Sequence, residues 1–160
     1  MIPMKLTTRK DQGPALLLIH GFPLDHRIWK NQLEKLPYNI KLFAPDLRGH
    51  GHSPLPPGPC GIDDYARDLL NLMNEQKVDR FYAAGHSMGG YIVFSMLRMA
   101  PQRILGAALV SSRALPDTDE GRKGREATAT RAEHEGPGFL AESMPARPSA
   151  TSRRPASSTR

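Results

Sequence analysis

Cysteine, aromatic residues and long apolar runs are all scarce in this chain of 160 residues. The single cysteine, Cys60, excludes an internal disulfide and is typical of a protein in a reducing compartment. The longest apolar run near the start, ALLLI, is too short for a transmembrane helix or for the core of a signal peptide. The sequence therefore predicts a cytoplasmic protein that does not bind a membrane.

Most of the positive charge belongs to one end of the chain. The formal net charge is +6, and it falls to +2 without the four arginines of residues 145–160. This segment has no acidic residue and no Val, Ile, Leu, Met or aromatic side chain, so burial cannot offset its ordering entropy. We expect a disordered basic tail over 145–160. Arginines without interleaved aromatic residues are a poor basis for nucleic-acid binding, and no nucleic-acid partner is expected.

Short apolar runs alternate with segments of helical periodicity. The predicted strands are 15–20, 40–46, 80–85 and 104–112, and the predicted helices are 25–36, 63–76 and 89–100. Strands joined by crossover helices form a parallel sheet, and runs that are apolar on both faces indicate a sheet covered on both sides. The sequence thus predicts an α/β core over 1–112. A densely charged stretch at 117–135 predicts a solvated helix, which Gly136 ends.

The pattern G-x-S-x-G occurs once, at Gly85-His86-Ser87-Met88-Gly89. It is typical of the nucleophile elbow, a sharp turn between a strand and a helix. A serine that projects from the end of a strand takes a positive φ, and the crowding favours glycine two residues to either side. The helix that follows offers free N–H groups, which favour negative charge beside the serine. Ser87 is therefore the predicted nucleophile.

A second motif, His20-Gly21-Phe22-Pro23, follows the first predicted strand. The loop at this place in such a sheet supplies a backbone N–H to the oxyanion of an acyl-transfer reaction. Phe22 has an N–H to offer, whereas Pro23 has none. We therefore expect the backbone N–H groups of Phe22 and Met88 to form an oxyanion hole.

Three blocks, HGFPLDHRIW, APDLRGHGHSP and AAGHSMGGYI, resemble the α/β-hydrolase superfamily in their order and spacing. The resemblance covers about residues 13–115 and is greatest to the small lipase, esterase and enol-lactonase-like branches. It implies an incomplete α/β-hydrolase fold, a mostly parallel sheet with helices on both faces that lacks the last strands. Residues 113–144 then correspond to the helical start of the lid region.

The same resemblance implies a function and a set of site residues. The expected enzyme is a serine hydrolase that acts on a small carboxylic ester or lactone, with Ser87 as nucleophile and no cofactor. A serine at this position excludes the aspartate nucleophile of the family's dehalogenase and epoxide-hydrolase branches. By the same resemblance, the loops around the site are shaped by His20, Asp46, Arg48, Gly49 and Gly51.

The acid and base of the family follow the serine in the chain, in the order acid and then histidine. This sequence leaves the family pattern at about Pro145, before the later strands, as after a truncation or a change of reading frame. Asp117 lies where some members carry their acid, and His134 is the one histidine after Ser87. They are candidates for acid and base, although His134 between two glutamates also fits a solvated surface histidine.

Alternatives therefore stay open beside the active hydrolase. Without the usual acid and base, the chain is a catalytically inactive fragment or a non-enzymatic binding protein. The strand at 104–112 would be an apolar sheet edge, which favours self-association. His50 and His52 lack a third ligand at a useful spacing, so they fit a solvated loop, and no metal is expected.

Overall fold

The computed structural model describes residues 3–9, 12–136 and 138–143, and the chain divides into two compact units, Met1–Leu115 and Pro116–Arg160. The first unit contains the sheet, whose strands are β1 (Leu6–Arg9), β2 (Ala15–Ile19), β3 (Lys41–Pro45), β4 (Phe81–His86) and β5 (Ile104–Val110). Their order across the sheet is β1-β3-β2-β4-β5. The mostly parallel sheet expected from the sequence is confirmed.

Strand β1 was not predicted, and it alone runs antiparallel to its neighbour, β3. Its sequence, LTTR, is short and has a single apolar residue, so it carries no apolar run that marks a strand. Tertiary contacts hold it in place. Arg9 donates hydrogen bonds from its guanidinium to the carbonyl oxygens of Leu33 and Leu36, and the Lys5 carbonyl accepts one from the Asp46 N–H.

Helices cover both faces of the sheet, as predicted. One face packs against α2 (Ile62–Glu75) and α3 (Met88–Met99) in a core that includes Leu17, Leu69 and Met96. The opposite face packs against Trp29 and Leu33, which lie in a 3₁₀ turn (His26–Trp29) and in the short α1 (Lys30–Lys35). The expected single helix over 25–36 is thus divided, and Asp25 caps its first turn by accepting a hydrogen bond from the Arg27 N–H.

Strand β5 forms one edge of the sheet and is largely exposed. It ends at Val110, two residues before the predicted end, and the side chains of its last four residues are exposed. An apolar groove of about 600 Å³ lies beside it, lined in part by Leu16, Tyr82 and Ala108. The far edge, β1, is shorter and more polar.

The described part of the second unit is helical. Helix α4 (Asp119–Glu135) has no buried residue and ends at Gly136, with a φ of 77°, and α5 (Gly138–Ser143) follows. The helix predicted from the charged stretch is confirmed, while its assignment to a lid stays a prediction. The expected tail, 145–160, lies outside the described residues. No helix of the described chain is long and apolar enough to cross a membrane.

Truncation of a fully buried side chain in α2 tests the core. Leu69 is 0% exposed, so Leu69→Ala removes apolar burial and leaves a cavity. We expect the free energy of unfolding, measured by urea denaturation, to fall by about 2–5 kcal/mol. Leu115→Ala is the matched control, because Leu115 is 74% exposed and its loss should change stability by less than about 0.5 kcal/mol. Equal effects would contradict this core.

Candidate active site

Ser87 lies at the turn between β4 and α3, in a strained backbone conformation. Its φ is 51° and its ψ is −114°, in a region that residues other than glycine rarely adopt. Hydrogen bonds hold this turn against the end of β5. The Ser87 N–H donates to the Val110 carbonyl at 2.9 Å, and the Ser87 carbonyl accepts from Ser112 Oγ at 2.9 Å. The strain expected at this serine is therefore present and supported from the neighbouring strand.

The two glycines of the motif lie where no side chain fits. A Cβ on Gly85 would lie 2.3 Å from the carbonyl oxygen of Gly89, and a Cβ on Gly89 would lie 2.4 Å from that of Ile19. Such distances are far inside van der Waals contact, and the obstructing atoms are backbone. The first turn of α3 thus packs directly on the ends of β2 and β4.

The loop after β2 lies beside the serine. A Cβ on Gly21 would lie 2.8 Å from the His86 carbonyl oxygen and 3.0 Å from Ser87 Cβ. Phe22 follows directly, and its side chain is about half exposed. Among the described residues, neither the Phe22 N–H nor the Met88 N–H donates a hydrogen bond. Two unused backbone donors thus flank Ser87, as an oxyanion hole requires.

Asp46 organises the loop that follows β3. Its buried carboxylate accepts hydrogen bonds from the His26 N–H at 2.9 Å, from His26 Nδ1 at 2.6 Å and from the His52 N–H at 3.0 Å. Burial by itself would raise the pKa of this carboxyl, but the hydrogen bonds from His26 and His52 hold it below its usual range. A Cβ on Gly51 would lie 2.3 Å from Asp46 Oδ2. The aspartate therefore shapes the loop around itself.

His20 joins this loop to the loop after β2. Its Nε2 accepts a hydrogen bond from the Leu47 N–H at 2.9 Å, and its Nδ1 donates to the Gly21 carbonyl at 3.0 Å. The ring is completely buried, and this burial lowers its pKa from 6.5 to about 4, against the raising effect of the Gly21 hydrogen bond. His20 is therefore neutral near pH 7 and acts as a buried brace rather than as a base for Ser87.

One group within the described residues has the composition of a metal site: Asp25, His26 and Asp46, with ligand atoms within 4.8 Å of one another. Asp46 already binds His26, and Asp25 forms an ion pair with Arg27 at 2.5 Å. A guanidinium at that position would repel a cation. The group fits a hydrogen-bonded brace better than a metal centre. His52, of the H-G-H pair, is exposed.

Ser87 Oγ makes no hydrogen bond to a described residue of the first unit, so no base is bonded to it there. The two candidates for acid and base both lie in the second unit. Asp117 precedes α4 and binds Arg125 at 2.6 Å, and His134 is exposed in the last turn of α4. A helix of this length spans about 25 Å, so α4 separates the two side chains. The structure does not bring Asp117 and His134 together.

Comparison with known proteins agrees with the fold described above. A family model described as the alpha/beta hydrolase fold matches residues 14–143. A thermophilic esterase from Thermogutta terrifontis has a TM-score of 0.83 and 39% identity over 89% of this chain and 53% of its own. The enol-lactonase from Burkholderia xenovorans has a TM-score of 0.76 and 30% identity over 87% of this chain and 54% of its own.

The curated relatives include hydrolases of a different type. Epoxide hydrolase 2 of Siraitia grosvenorii is 33% identical over 95 residues, which make up 58% of this chain and 30% of that protein. The chain spans about half the length of the two solved structures above and less than a third of this relative.

The buried neutral ring of His20 predicts a loss of stability in mild acid. Because its pKa is lowered in the folded state, the unfolded chain takes up a proton first as the pH falls from about 6.5 towards 4. This single group should lower the free energy of unfolding by about 2 kcal/mol between about pH 7.5 and about pH 5. Urea denaturation at the two pH values measures the difference.

His20→Gln should lose this part of the pH dependence, even if it is less stable at every pH. The control is His52→Gln. Because His52 is exposed, its replacement should leave the fall in the free energy of unfolding between the two pH values as it is in the wild type. A His20→Gln chain whose stability falls with pH as steeply as that of the wild type would contradict the prediction.

Proposed function

Because the chain belongs to the α/β-hydrolase fold family, we propose that Ser87 is the nucleophile of a serine hydrolase that acts on a small carboxylic ester or lactone. The observation that carries the proposal is the Ser87 turn, with its positive φ and unused N–H groups on both sides. The similarity to an esterase and an enol-lactonase supports the choice of carboxylic substrate.

The proposed reaction proceeds by acyl transfer. Ser87 Oγ attacks the carbonyl carbon of the ester, its proton passes to a water molecule, and the carbonyl oxygen becomes an oxyanion. The N–H groups of Phe22 and Met88 donate hydrogen bonds to this oxyanion, and the start of α3 adds a favourable dipole. The bond to the leaving alkoxide then breaks, the alkoxide takes up a proton, and water releases the acid from Ser87.

Epoxide opening is not proposed, although epoxide hydrolases are among the relatives. In that branch of the family an aspartate is the nucleophile, and the position of the nucleophile in this chain is Ser87. A serine attack on a carbonyl also makes use of the oxyanion donors, since the charge develops on the carbonyl oxygen.

A second candidate is a catalytically inactive chain or a non-enzymatic binding protein. It is favoured by the lack of a hydrogen bond from Ser87 Oγ to any described residue of the first unit. A positioned base typically contributes about 10²–10⁴-fold to rate, so a chain without one should turn over slowly. Asp117 and His134 stay predictions for acid and base, and the length of α4 argues against their acting on each other.

The location and the partners of the protein are also proposals. The single cysteine fits a cytoplasmic location, and the partner at the site is the small ester or lactone. Self-association through β5 is proposed because seven consecutive residues of this edge, ILGAALV, carry no charge and no proline.

Reaction of the chain with a fluorophosphonate probe tests the serine mechanism. The probe should label Ser87, as located by mass spectrometry of the digested chain, and hydrolysis of a small activated ester should be detectable. Ser87→Ala should abolish both signals, because it removes the hydroxyl of the residue that takes the strained, positive φ.

Ser95→Ala is the matched control. Ser95 lies further along α3, and its hydroxyl donates a hydrogen bond of 2.6 Å to the carboxylate of Asp63. This variant should keep the wild-type labelling rate. Ester hydrolysis that is equal in the wild-type chain and in Ser87→Ala would overturn the serine mechanism. A chain that is folded and never labelled would favour the binding-protein alternative.

Light scattering over a wide concentration range tests self-association. The wild-type chain should form dimers or larger species. Ala108→Lys places a charge on the exposed edge strand and should shift the chain towards monomer. Thr8→Lys on the opposite edge, β1, is the control and should leave the distribution unchanged. A wild-type chain that is monomeric at all concentrations would refute association.

A further inference from the structure

His50 lies in the loop after β3, and hydrogen bonds hold this loop at several points. Arg48 forms two hydrogen bonds of 2.6 Å with the carboxylate of Asp68 on α2, and both side chains are mostly buried. Ser53 Oγ donates to the Asp46 carbonyl at 2.7 Å and accepts from the Lys5 N–H at 2.8 Å. The backbone that carries His50 is therefore fixed relative to both β3 and α2.

The ring of His50 is oriented by its own loop. Nδ1 lies 2.9 Å from the Arg48 carbonyl oxygen, and because a carbonyl only accepts, Nδ1 carries the proton. Nε2 is buried and has no hydrogen-bond partner in the part of the chain that the structure describes. The hydrogen bond from Nδ1 thus fixes the orientation of the ring, and the edge that carries Nε2 packs against its neighbours without a hydrogen bond.

This ring lies against the residues beside the serine. Its centroid is 5.9 Å from that of Phe22, with an angle of 86° between the ring planes, which is the favoured edge-to-face geometry. The centroid of the His50 ring also lies 5.2 Å from that of the His20 ring and 6.2 Å from that of the Tyr65 ring. His50, in the loop after β3, therefore packs both on α2 and on the loop that carries the Phe22 N–H.

The contact with His50 adds to the restraints on the loop that carries Phe22. Gly21 has no side chain, and the His86 carbonyl leaves no room for one. His20 anchors the start of this loop through its hydrogen bonds with the Leu47 N–H and the Gly21 carbonyl. Phe22, whose side chain is half exposed, is the next residue with a side chain that can pack. The Leu24 N–H also donates to the Gly21 carbonyl at 2.9 Å, so the turn is already hydrogen-bonded. The edge-to-face contact adds a restraint on the Phe22 side chain itself.

We propose that His50 is a positioning residue, whose ring holds Phe22 and thereby aims the Phe22 N–H at the oxyanion. The proposal rests on the serine mechanism proposed above and adds to it a residue that does not touch the substrate. His50 acts through packing on the Phe22 ring, and its hydrogen bond to Arg48 keeps the imidazole in the orientation that this packing requires.

Two substitutions separate the ring contact from the hydrogen bond. His50→Phe keeps a ring against Phe22 and loses the bond to the Arg48 carbonyl. His50→Asn keeps a donor in reach of that carbonyl and loses the ring. We expect the rate of Ser87 labelling by a fluorophosphonate to fall roughly 2- to 10-fold in His50→Asn and to stay near the wild-type rate in His50→Phe.

A double-mutant cycle with Phe22→Leu tests whether His50 acts through Phe22. Phe22→Leu keeps the backbone N–H and removes the ring, so it should slow labelling about as much as His50→Asn. The combined variant should be little slower than either single variant, since both remove the same contact. Fully additive effects, or a His50→Phe variant as slow as His50→Asn, would overturn the proposal.

An NMR measurement decides the positioning role even if Ser87 never reacts. The amide order parameter of Phe22 should be near the rigid value of about 0.85 in the wild-type chain and in His50→Phe, and should fall in His50→Asn towards about 0.6. An order parameter that is unchanged in His50→Asn would refute the role of His50. A normal NMR result without any labelling would instead refute the serine mechanism and leave the positioning of Phe22 established.

Discussion

The close packing of the first turn of α3 on β2 and β4 is the constraint on which the site depends. Backbone atoms approach at Gly85 and Gly89 to distances that exclude any Cβ, and Ser87 between them takes a positive φ. Strain of this kind, of about 1–3 kcal/mol, persists only where the surroundings impose it. The carbonyl of Val110 and the hydroxyl of Ser112 supply that support from β5 and the residues after it.

Buried polar groups provide the second level of organisation. Asp46 accepts three hydrogen bonds from His26 and His52, and His20 uses both of its ring nitrogens on neighbouring loops. A buried polar group without partners costs free energy, so these loops can close over the end of the sheet only when such bonds are made. The same bonds place Gly21 and Phe22 beside Ser87. The hydrogen bonds that order these loops therefore also set the geometry of the site.

The apolar runs and the glycine motif predicted much of the fold, because they record local requirements. Each of the four predicted strands is present to within about two residues. The turn at Ser87 has the expected conformation. Strand β1 escaped prediction, since its four residues owe their place to pairing with β3 and to the contacts of Arg9 with the carbonyls at the end of α1. The predicted helix is also divided at Trp29, whose side chain is buried against the sheet.

The sequence by itself determined which residue stands at the strained turn, because G-x-S-x-G expresses a steric requirement among five neighbouring residues. It also identified Phe22 and Met88 as residues with an N–H to offer. Only the tertiary structure decided that Asp46 binds His26, that His20 is buried and neutral, and that His50 packs on Phe22. These partners lie some twenty to thirty residues apart, and no local pattern records a contact that the fold creates. The separation of Asp117 from His134 has a local origin instead, since the length of α4 sets it and the charged stretch already predicted this helix.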